Sequence, residues 1–267
     1  MRWLWLVLAA LLACRREPAP IRIATFNIED FPKNPAQVRG AFSELVATHA
    51  SIIGVQEIDD PALFARSAHE YFGAQWQFIP TGWTQPFPHS HHLGVLFDSA
   101  RWRLLSTAVH PEPSLDGYGK PALEVRLAPV AGGDPIRVIV VHFVCCSEGL
   151  PERRRQHAAL AQILAQLPRG DHTVVLGDFN ATSDEDRTSI ASLAGRLTWA
   201  TEPLKCSAFW RRADSCPRSR LDHVLTWKQP RDVEVLGACK REGCKAQDRC
   251  PLEATTVSDH CPVAITL

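Results

Sequence analysis

Short apolar runs alternate with amphipathic stretches along most of this chain. Apolar residues at helical spacing predict helices at 34–49, where Asn34 caps the turn before Pro35, at 61–71 and at 151–167. β-branched and alternating runs predict the strands 21–28, 51–57, 75–80, 93–97, 102–109, PALEVRL, IRVIVVHF, HTVVLGDFN, LDHVLTW and CPVAITL. The run IRVIVVHF is so uniformly apolar that it belongs in the centre of a sheet.

The order of these elements predicts the fold class. Helices interleaved with many strands that are adjacent in sequence favour an α/β sandwich. We expect four layers, in which two mixed, mainly antiparallel β-sheets pack face to face with the helices outside. A Cys-rich, polar insertion at about 228–257 fits a long loop or an inserted hairpin. A chain of 267 residues is long enough for one large core, so 21–267 is predicted to form a single domain.

The first fourteen residues, MRWLWLVLAALLAC, predict export. An unbroken apolar run from Trp3 to Ala13 has the length of a secretory signal and is too short for a membrane span. The run ends at LLAC before RREPAP, which resembles a bacterial lipoprotein signal with Cys14 as the lipidated residue. Leu12 is bulkier than usual there, so plain cleavage is the alternative. We expect an outer-membrane or periplasmic lipoprotein, or else a secreted protein, with 15–20 as a short tether and membrane contact only through the lipid.

Charge and cysteine content narrow the class of protein. Lys and Arg total 29, as do Asp and Glu, so there is no global basic field and any attraction to a polyanion is local. Beyond Cys14 there are eight cysteines, and an even number in an exported chain predicts disulfides, with Cys206 and Cys216 as the nearest candidate pair. Zinc is the alternative, because three cysteines cluster at 239–250, although they lack Cys-x-x-Cys spacing.

Polar side chains stand at the ends of the predicted strands. They are Asn27, Glu57, His142, Asp178, Asn180 and, directly before the last strand, Asp259 and His260. In open α/β sheets ligands bind at the carboxyl edge, where side chains from separate strands converge. Each residue alone has a structural explanation, such as a turn at GDFN or a satisfied core histidine. Their occurrence as a set favours a functional site.

The set meets the chemical needs of phosphate-ester hydrolysis, which are a cation, a base that activates water, and donors that hold the phosphate. Glu57 offers a hard oxygen ligand for Mg²⁺. Asn27 and Asn180 offer neutral amides that hold a phosphate oxygen without repelling it. His260 titrates near neutrality and suits a general base, and Asp222 in RLDHVL is the candidate carboxylate that orients it.

Six motifs, IATFNIED, GVQEID, VHF, GDFNAT, RLDHVL and VSDHCPV, occur in the order and approximate spacing of a known family. From Ile21 to Leu267 the chain resembles the endonuclease/exonuclease/phosphatase superfamily of metal-dependent phosphoesterases. This superfamily includes pancreatic deoxyribonuclease, exonuclease III-type enzymes, bacterial sphingomyelinases and inositol polyphosphate 5-phosphatases. GDFN and SDH together are the specific part of the resemblance. It implies a divalent cation, Mg²⁺ with Mn²⁺ or Ca²⁺ as alternatives.

The resemblance also implies roles for individual residues, with His260 as general base paired with Asp222. The residues implied for the metal are Glu57, Asn27, Asp259 and Glu29. Those implied for catalysis are His260, His142, Asp178, Asn180 and Asp222. Asn180, Lys120 and Tyr118 are the candidates for phosphate binding, although Lys120 replaces a frequent arginine and offers a point charge in place of a bidentate fork.

One departure concerns the partner of His142. Pancreatic-type members have a Glu that orients this histidine, whereas here an ungapped alignment places His91. A metal-binding role for the HSHH stretch, 89–92, is a further hypothesis.

The substrate is open because this fold hosts several phosphoester chemistries with nearly the same residues. Basic residues at 153–155 and at 211–220 flank the predicted site, and Trp83 and Trp210 could stack on bases, although solvated faces explain them equally well. We expect a monomeric endonuclease of low sequence specificity. The alternatives are a sphingomyelinase-like or inositol phosphate phosphoesterase and a non-catalytic surface-binding protein.

Overall fold

The computed structural model describes residues 20–82, 91–195 and 197–267. The strands are β1 (Arg22–Phe31), β2 (Ile52–Ile58), β3 (Trp76–Pro80), β4 (His92–Asp98), β5 (Trp102–His110), β6 (Ala122–Pro129), β7 (Ile136–His142), β8 (His172–Asp178), β9 (Thr198–Trp199), β10 (Ala208–Phe209), β11 (Arg218–Ser219), β12 (Asp222–Thr226), β13 (Asp232–Val235) and β14 (Val263–Thr266). The helices are α1 (Pro35–Ala47), α2 (Pro61–Phe72), α3 (Leu150–Gln166), α4 (Asp184–Leu193), α5 (Gly237–Arg241) and α6 (Leu252–Thr256), with a 3₁₀ turn at Glu112–Ser114.

Two six-stranded sheets form the framework. Sheet one has the strand order β13-β14-β1-β2-β4-β3, and sheet two has the order β5-β6-β7-β8-β12-β9. One strand pair in each sheet is parallel, β1 with β2 and β7 with β8, and the other pairs are antiparallel. A helix connects each parallel pair, α1 in sheet one and α3 in sheet two, as parallel strands require. The predicted fold class is confirmed.

Apolar side chains fill the spaces between four layers. The central cluster joins the inner faces of both sheets, for example Val95 from sheet one and Val138 from sheet two. A second cluster, rich in phenylalanine, packs α1 and α2 on the outer face of sheet one. A third packs α3 and α4 on the outer face of sheet two. The two parallel pairs therefore lie in the middle of the molecule, packed on both faces.

Three helices begin and end close to the predicted positions. In α1 the side chain of Asn34 accepts hydrogen bonds from the N–H groups of Ala36 and Gln37, as expected for the cap. Helix α4 was not predicted, because DEDRTSIASL carries few apolar residues, yet Ser183 and Asp186 form a capping box that marks its start. No helix within the described ranges is long and apolar enough to cross a membrane.

The predicted pairing of Cys206 with Cys216 is wrong. The disulfides are Cys145–Cys146, Cys206–Cys244, Cys216–Cys250 and Cys239–Cys261. Strand β10 pairs with β11 so that Ala208 lies opposite Ser219, which keeps the two cysteines out of register. Cys216 instead pairs through its backbone with Gln247 in the Cys-rich segment. Since all eight cysteines of the described residues are oxidised, zinc has no thiolate ligands there.

The segment 228–257 is neither a long loop nor a hairpin. It contains β13, which pairs with β14 at the edge of sheet one, followed by α5 and α6. Its core consists largely of the disulfide cysteines together with Phe209, Ala238 and Ala254. Cross-links thus replace apolar burial where the sequence offers few apolar residues.

Candidate active site

The carboxyl ends of the two parallel pairs face each other across the sandwich. Asn27 and Glu57 come from β1 and β2, and His142 and Asp178 come from β7 and β8. The amide of Asn27 joins the two sheets, because its Nδ2 donates to Glu57 Oε1 at 2.9 Å and to Asp178 Oδ2 at 3.1 Å. His142 Nε2 lies 3.7 Å from Glu57 Oε1 and 3.6 Å from Asp178 Oδ2.

Left-handed backbone conformations aim several of these side chains. The φ angles are 54° at Glu29, 52° at Asp30, 62° at Glu57 and 49° at Asn180. The β1–β2 pairing shifts register between Asn27 and Phe31, as expected for a bulge that re-aims side chains. Non-glycine residues in this region carry strain, which concentrates at functional sites.

His260 and Asp222 form the predicted pair. The distance from His260 Nδ1 to Asp222 Oδ2 is 2.9 Å, and His260 Nε2 lies 3.7 Å from Asp178 Oδ2. Burial alone would lower the pKa of His260, but the negative charges of Asp222 and Asp178 outweigh it and raise this pKa well above its usual value. The imidazole is therefore oriented by one carboxylate and presents its other nitrogen to a second.

The start of the last strand explains why SDH precedes it. Strand β14 runs antiparallel to β1, so residues just before β14 lie over the end of β1. Ser258 Oγ donates to the carbonyl oxygen of Asn27 at 2.7 Å and accepts a hydrogen bond from the His260 N–H at 3.0 Å. Ser258 thus fixes His260 relative to β1.

Asn180 supports Asp178. Its backbone N–H donates to Asp178 Oδ1 at 2.8 Å, and its Nδ2 donates to Asp178 Oδ2 at 3.1 Å and to the carbonyl oxygen of Phe143 at 2.9 Å. Asp178 therefore accepts hydrogen bonds on both oxygens, although burial raises its pKa. The assignment of Asn180 to phosphate binding stays a prediction.

A group of possible metal ligands surrounds Glu57. Ligand atoms of Asp30, Glu57 and His91 all lie within 4.8 Å of one another. Two carboxylates and an imidazole suit a divalent cation such as Mg²⁺ or Mn²⁺, so these residues fit the implied metal. Asp30 and His91 were not among the predicted ligands, although Asp30 belongs to the motif IATFNIED.

Glu29 and Asp259, two predicted metal residues, lie together beside this group. Glu29 Oε1 is paired with Lys33 at 2.6 Å and with Arg211, and Glu29 Oε2 accepts the Asp259 N–H at 3.0 Å. Burial raises the pKa of Asp259 to about 6, and the nearby charges of Glu29 and Glu57 act in the same direction. In this structure Arg211 balances their charge, so a direct role of either residue in binding metal stays a prediction.

His142 is a largely buried, neutral histidine. Burial lowers its pKa to about 4, although the charge of Asp178 acts in the opposite direction. Its Nδ1 has no hydrogen-bond partner in the described part of the chain, and His91 instead pairs with Asp30 at 2.7 Å. Among the described residues, none orients this imidazole through Nδ1.

The two other predicted phosphate-binding residues differ in position. Lys120 is half-buried, and burial lowers its pKa while the charges of Glu57 and Asp59 oppose this effect, so it lies within electrostatic reach of Glu57. Tyr118 is 68% exposed and does not pack into the site. Trp83 and His89 lie outside the described residues.

In the basic stretch 153–155, Arg154 and Arg155 are exposed, whereas Arg153 does not belong to a surface patch. Arg153 is fully buried and donates to both oxygens of Asp186, at 2.8 and 2.9 Å. It also donates to the carbonyl oxygen of Cys146 at 2.5 Å and to Thr182 Oγ1 at 2.9 Å. Arg153 thus connects the loop after His142 to the loop after Asn180. The sequence does not indicate this role, because Arg153 is the first of three consecutive arginines.

The fold is a four-layer sandwich with two mixed sheets, and an Asp–His pair and further carboxylates lie at one end of it. This combination is typical of a metal-dependent phosphoesterase. The family model described as endonuclease/exonuclease/phosphatase matches residues 24–260, and the chain belongs to this family. No match was found among curated proteins.

Solved structures share the fold at low identity. Zebrafish (D. rerio) TDP2 in complex with a single-stranded DNA product is 14% identical, with a TM-score of 0.71 over 93% of this chain and 99% of that one. The human Nocturnin catalytic domain with bound sulfate is 21% identical, with a TM-score of 0.67 over 92% and 93%. A mannosyl-6-phosphatase from Bacteroides thetaiotaomicron is 16% identical, with a TM-score of 0.65 over 92% and 99%.

Proposed function

We propose that this protein is an exported, Mg²⁺-dependent phosphodiester hydrolase that acts as an endonuclease of low sequence specificity. The observation that carries the proposal is the convergence of the His260–Asp222 pair, Asp178 and Glu57 on one point between the sheets. Membership of a phosphoesterase family limits the reaction to phosphoric esters. Export rests on the apolar segment at residues 3–13 and on the oxidised cysteines.

Different side chains have different roles in the reaction. In its unprotonated form His260, oriented by Asp222, takes a proton from water, and Asp178 lies 3.7 Å from His260 Nε2, where it positions that water. Lys120 offers positive charge to the phosphate. His142 is neutral because of its burial, so it donates a hydrogen bond to a phosphoryl or leaving oxygen without bringing charge.

The metal supplies charge neutralisation on the phosphoryl oxygens when it is bound. Glu57 and Asp30, with His91, would hold it, and Asn27 fixes Glu57 by the hydrogen bond to Oε1. Oxygen-rich surroundings favour Mg²⁺, while the imidazole of His91 also accommodates Mn²⁺.

A nucleic-acid substrate is supported by two observations. The structure of TDP2 that shares this fold was solved with a single-stranded DNA product. Arg211 lies next to the segment of the catalytic histidine, since its guanidinium is 3.7 Å from Asp259 Oδ2, and further basic residues up to 220 follow on the β10–β11 hairpin. The mannosyl-6-phosphatase with the same fold shows why the substrate needs a direct test.

The test is to incubate the mature protein with supercoiled plasmid, sphingomyelin or an inositol polyphosphate, each with Mg²⁺ and with chelator. We expect plasmid nicking that needs the metal and is lost in His260→Ala. Cleavage of the lipid or the inositol phosphate beside an intact plasmid would overturn the nuclease assignment and favour the alternative phosphoesterases.

A further inference from the structure

A cavity of about 600 Å³ lies beside the catalytic residues. Two of its lining residues, Ala181 and Leu221, are the chain neighbours of Asn180 and Asp222. Trp210, which also lines it, extends from β10, and β10 pairs with the segment around His260. The cavity is therefore built from the same loops that position the catalytic side chains.

The cavity, here called the basic cavity, is strongly cationic. Among its lining residues in the described ranges there is no Asp or Glu. Its five cationic side chains are Arg187, Lys205, Arg212, Arg218 and Arg220, of which Arg187 pairs with the exposed Asp184 at 2.5 Å. The chain as a whole has no net charge, so this concentration of positive charge is local and attracts anions to one place.

Backbone carbonyls hold two of these arginines without neutralising them. Arg220 donates to the carbonyl oxygens of Glu202 and Leu204, and Arg218 donates to that of Cys244 at 2.8 Å. Burial lowers the pKa of Arg220, and the positive charge of Arg187 lowers it further. These cations are fixed close together and repel one another. An anion that binds between them relieves this repulsion, which makes its binding more favourable.

Disulfides fix the position of the loops that form the wall of the basic cavity. Cys206, next to Lys205, is bonded to Cys244, and Cys216, in the hairpin that carries Arg212 and Arg218, is bonded to Cys250. The wall is therefore ordered before a ligand binds, which lowers the entropy cost of binding.

Trp210 adds an aromatic surface to the basic cavity. Its side chain is 39% exposed at the rim. A base can stack on such a ring, and stacking tolerates any base sequence. A small polyphosphate would use the cations alone, whereas a polynucleotide would use both the cations and the ring.

We propose that the basic cavity binds a second phosphate of the substrate, next to the phosphate that is hydrolysed, and that the substrate is a polynucleotide whose adjoining base stacks on Trp210. This inference rests on the proposed function. It makes a further claim, namely that a diester with a single phosphate uses only part of the site.

The variant Lys205→Glu/Arg212→Glu tests the claim, since both side chains are exposed and neither belongs to the catalytic group. The matched control is Lys228→Glu, an exposed charge reversal outside the cavity. The substrates are an oligonucleotide of about ten nucleotides, within common binding-site sizes, and bis(4-nitrophenyl) phosphate. We expect KM for the oligonucleotide to rise about tenfold in the double variant, with kcat/KM for the single-phosphate diester unchanged and Lys228→Glu like wild type.

Binding is measured separately from turnover by fluorescence anisotropy of the labelled oligonucleotide on a His260→Ala background. Loss of a phosphate contact lowers the slope of log Kd against log salt by about one. If this slope falls in the double variant while the wild-type protein with Mg²⁺ hydrolyses none of the substrates, the basic cavity stands and the proposed function fails. If the protein hydrolyses the oligonucleotide with unchanged KM in the double variant, the basic cavity is refuted and the proposed function stands.

A last arm identifies the source of the second phosphate. Trp210→Leu is expected to weaken oligonucleotide binding and to leave competition by an inositol polyphosphate unchanged. If instead the inositol polyphosphate alone depends on Lys205 and Arg212, the polynucleotide assignment is overturned.

Discussion

The two sheets are built alike and contribute different chemistry. Each has one parallel pair connected by a helix, and each presents polar residues at the carboxyl end of that pair. Sheet one contributes Glu57 and the other residues that fit a metal, and sheet two contributes Asp178 and Asp222, which surround the base. His260 precedes a strand of sheet one yet contacts carboxylates of sheet two. From this comparison we predict that metal binding and proton transfer are separable in this site.

The largest expected effect is the loss of the base. His260→Ala should lower kcat/KM about 10²–10⁴-fold at saturating Mg²⁺, because no other side chain at this position is oriented to take the proton. Metal affinity, measured by titration calorimetry, should remain as in wild type. A loss of metal affinity in His260→Ala would show that metal binding and proton transfer are not separable.

The second-largest effect is expected from loss of the disulfide that adjoins His260. The Cys239–Cys261 disulfide closes a loop with a sequence separation of 22, so Cys239→Ser/Cys261→Ser should lower the free energy of unfolding by about 3 kcal/mol. Turnover should fall as well, since Cys261 adjoins His260. The control is Cys145→Ser/Cys146→Ser, whose bond joins adjacent residues and closes almost no loop. Equal destabilisation in both variants, seen in urea titrations, would contradict this account.

A third change acts on sheet one alone. Glu57→Gln keeps the shape of the side chain and removes its charge, so the Mg²⁺ concentration for half-maximal activity should rise about 10–100-fold, the range seen when metal sites lose a supporting group. At saturating Mg²⁺ most of the activity should return. Glu70→Gln, an exposed carboxamide substitution on α2, serves as the control. If no Mg²⁺ concentration restored the activity, Glu57 would have to act in proton transfer and not only in metal binding.

The smallest effect distinguishes the outer layers of the two sheets. The layer outside sheet one is rich in phenylalanine, whereas the layer outside sheet two contains His157, whose two nitrogens have no hydrogen-bond partner in the described ranges and whose pKa burial lowers to about 4. The unfolded chain protonates this histidine below about pH 6.5 and the folded protein does not until about pH 4, so stability is lost as the pH falls through this window.

His157→Leu removes this acid sensitivity. Relative to wild type, it should raise the free energy of unfolding at pH 5 by about 2 kcal/mol more than at pH 8. Urea titrations at both pH values measure this difference, with the exposed His69→Leu as the control. The same difference at both pH values would mean that the effect is one of packing alone.

Much of the fold was predictable because its signals are local. Asn34 and Pro35 mark the start of α1, and the uniformly apolar run of β7 places that strand in the middle of a sheet. The disulfide map was not predictable in this way. Cys206 and Cys216 are near in sequence, yet the register of the β10–β11 hairpin directs each to a different partner.

The sequence by itself determined most of the element types and the residue types of the site, since these depend on periodicity, capping and short motifs. Only the tertiary structure decided which residues meet: that Asn27 spans Glu57 and Asp178, that Asp30 and His91 join Glu57, and that Arg153 is buried between two loops. The physical reason is that these contacts join distant parts of the chain, and their geometry follows from strand register and layer packing, which no short stretch encodes.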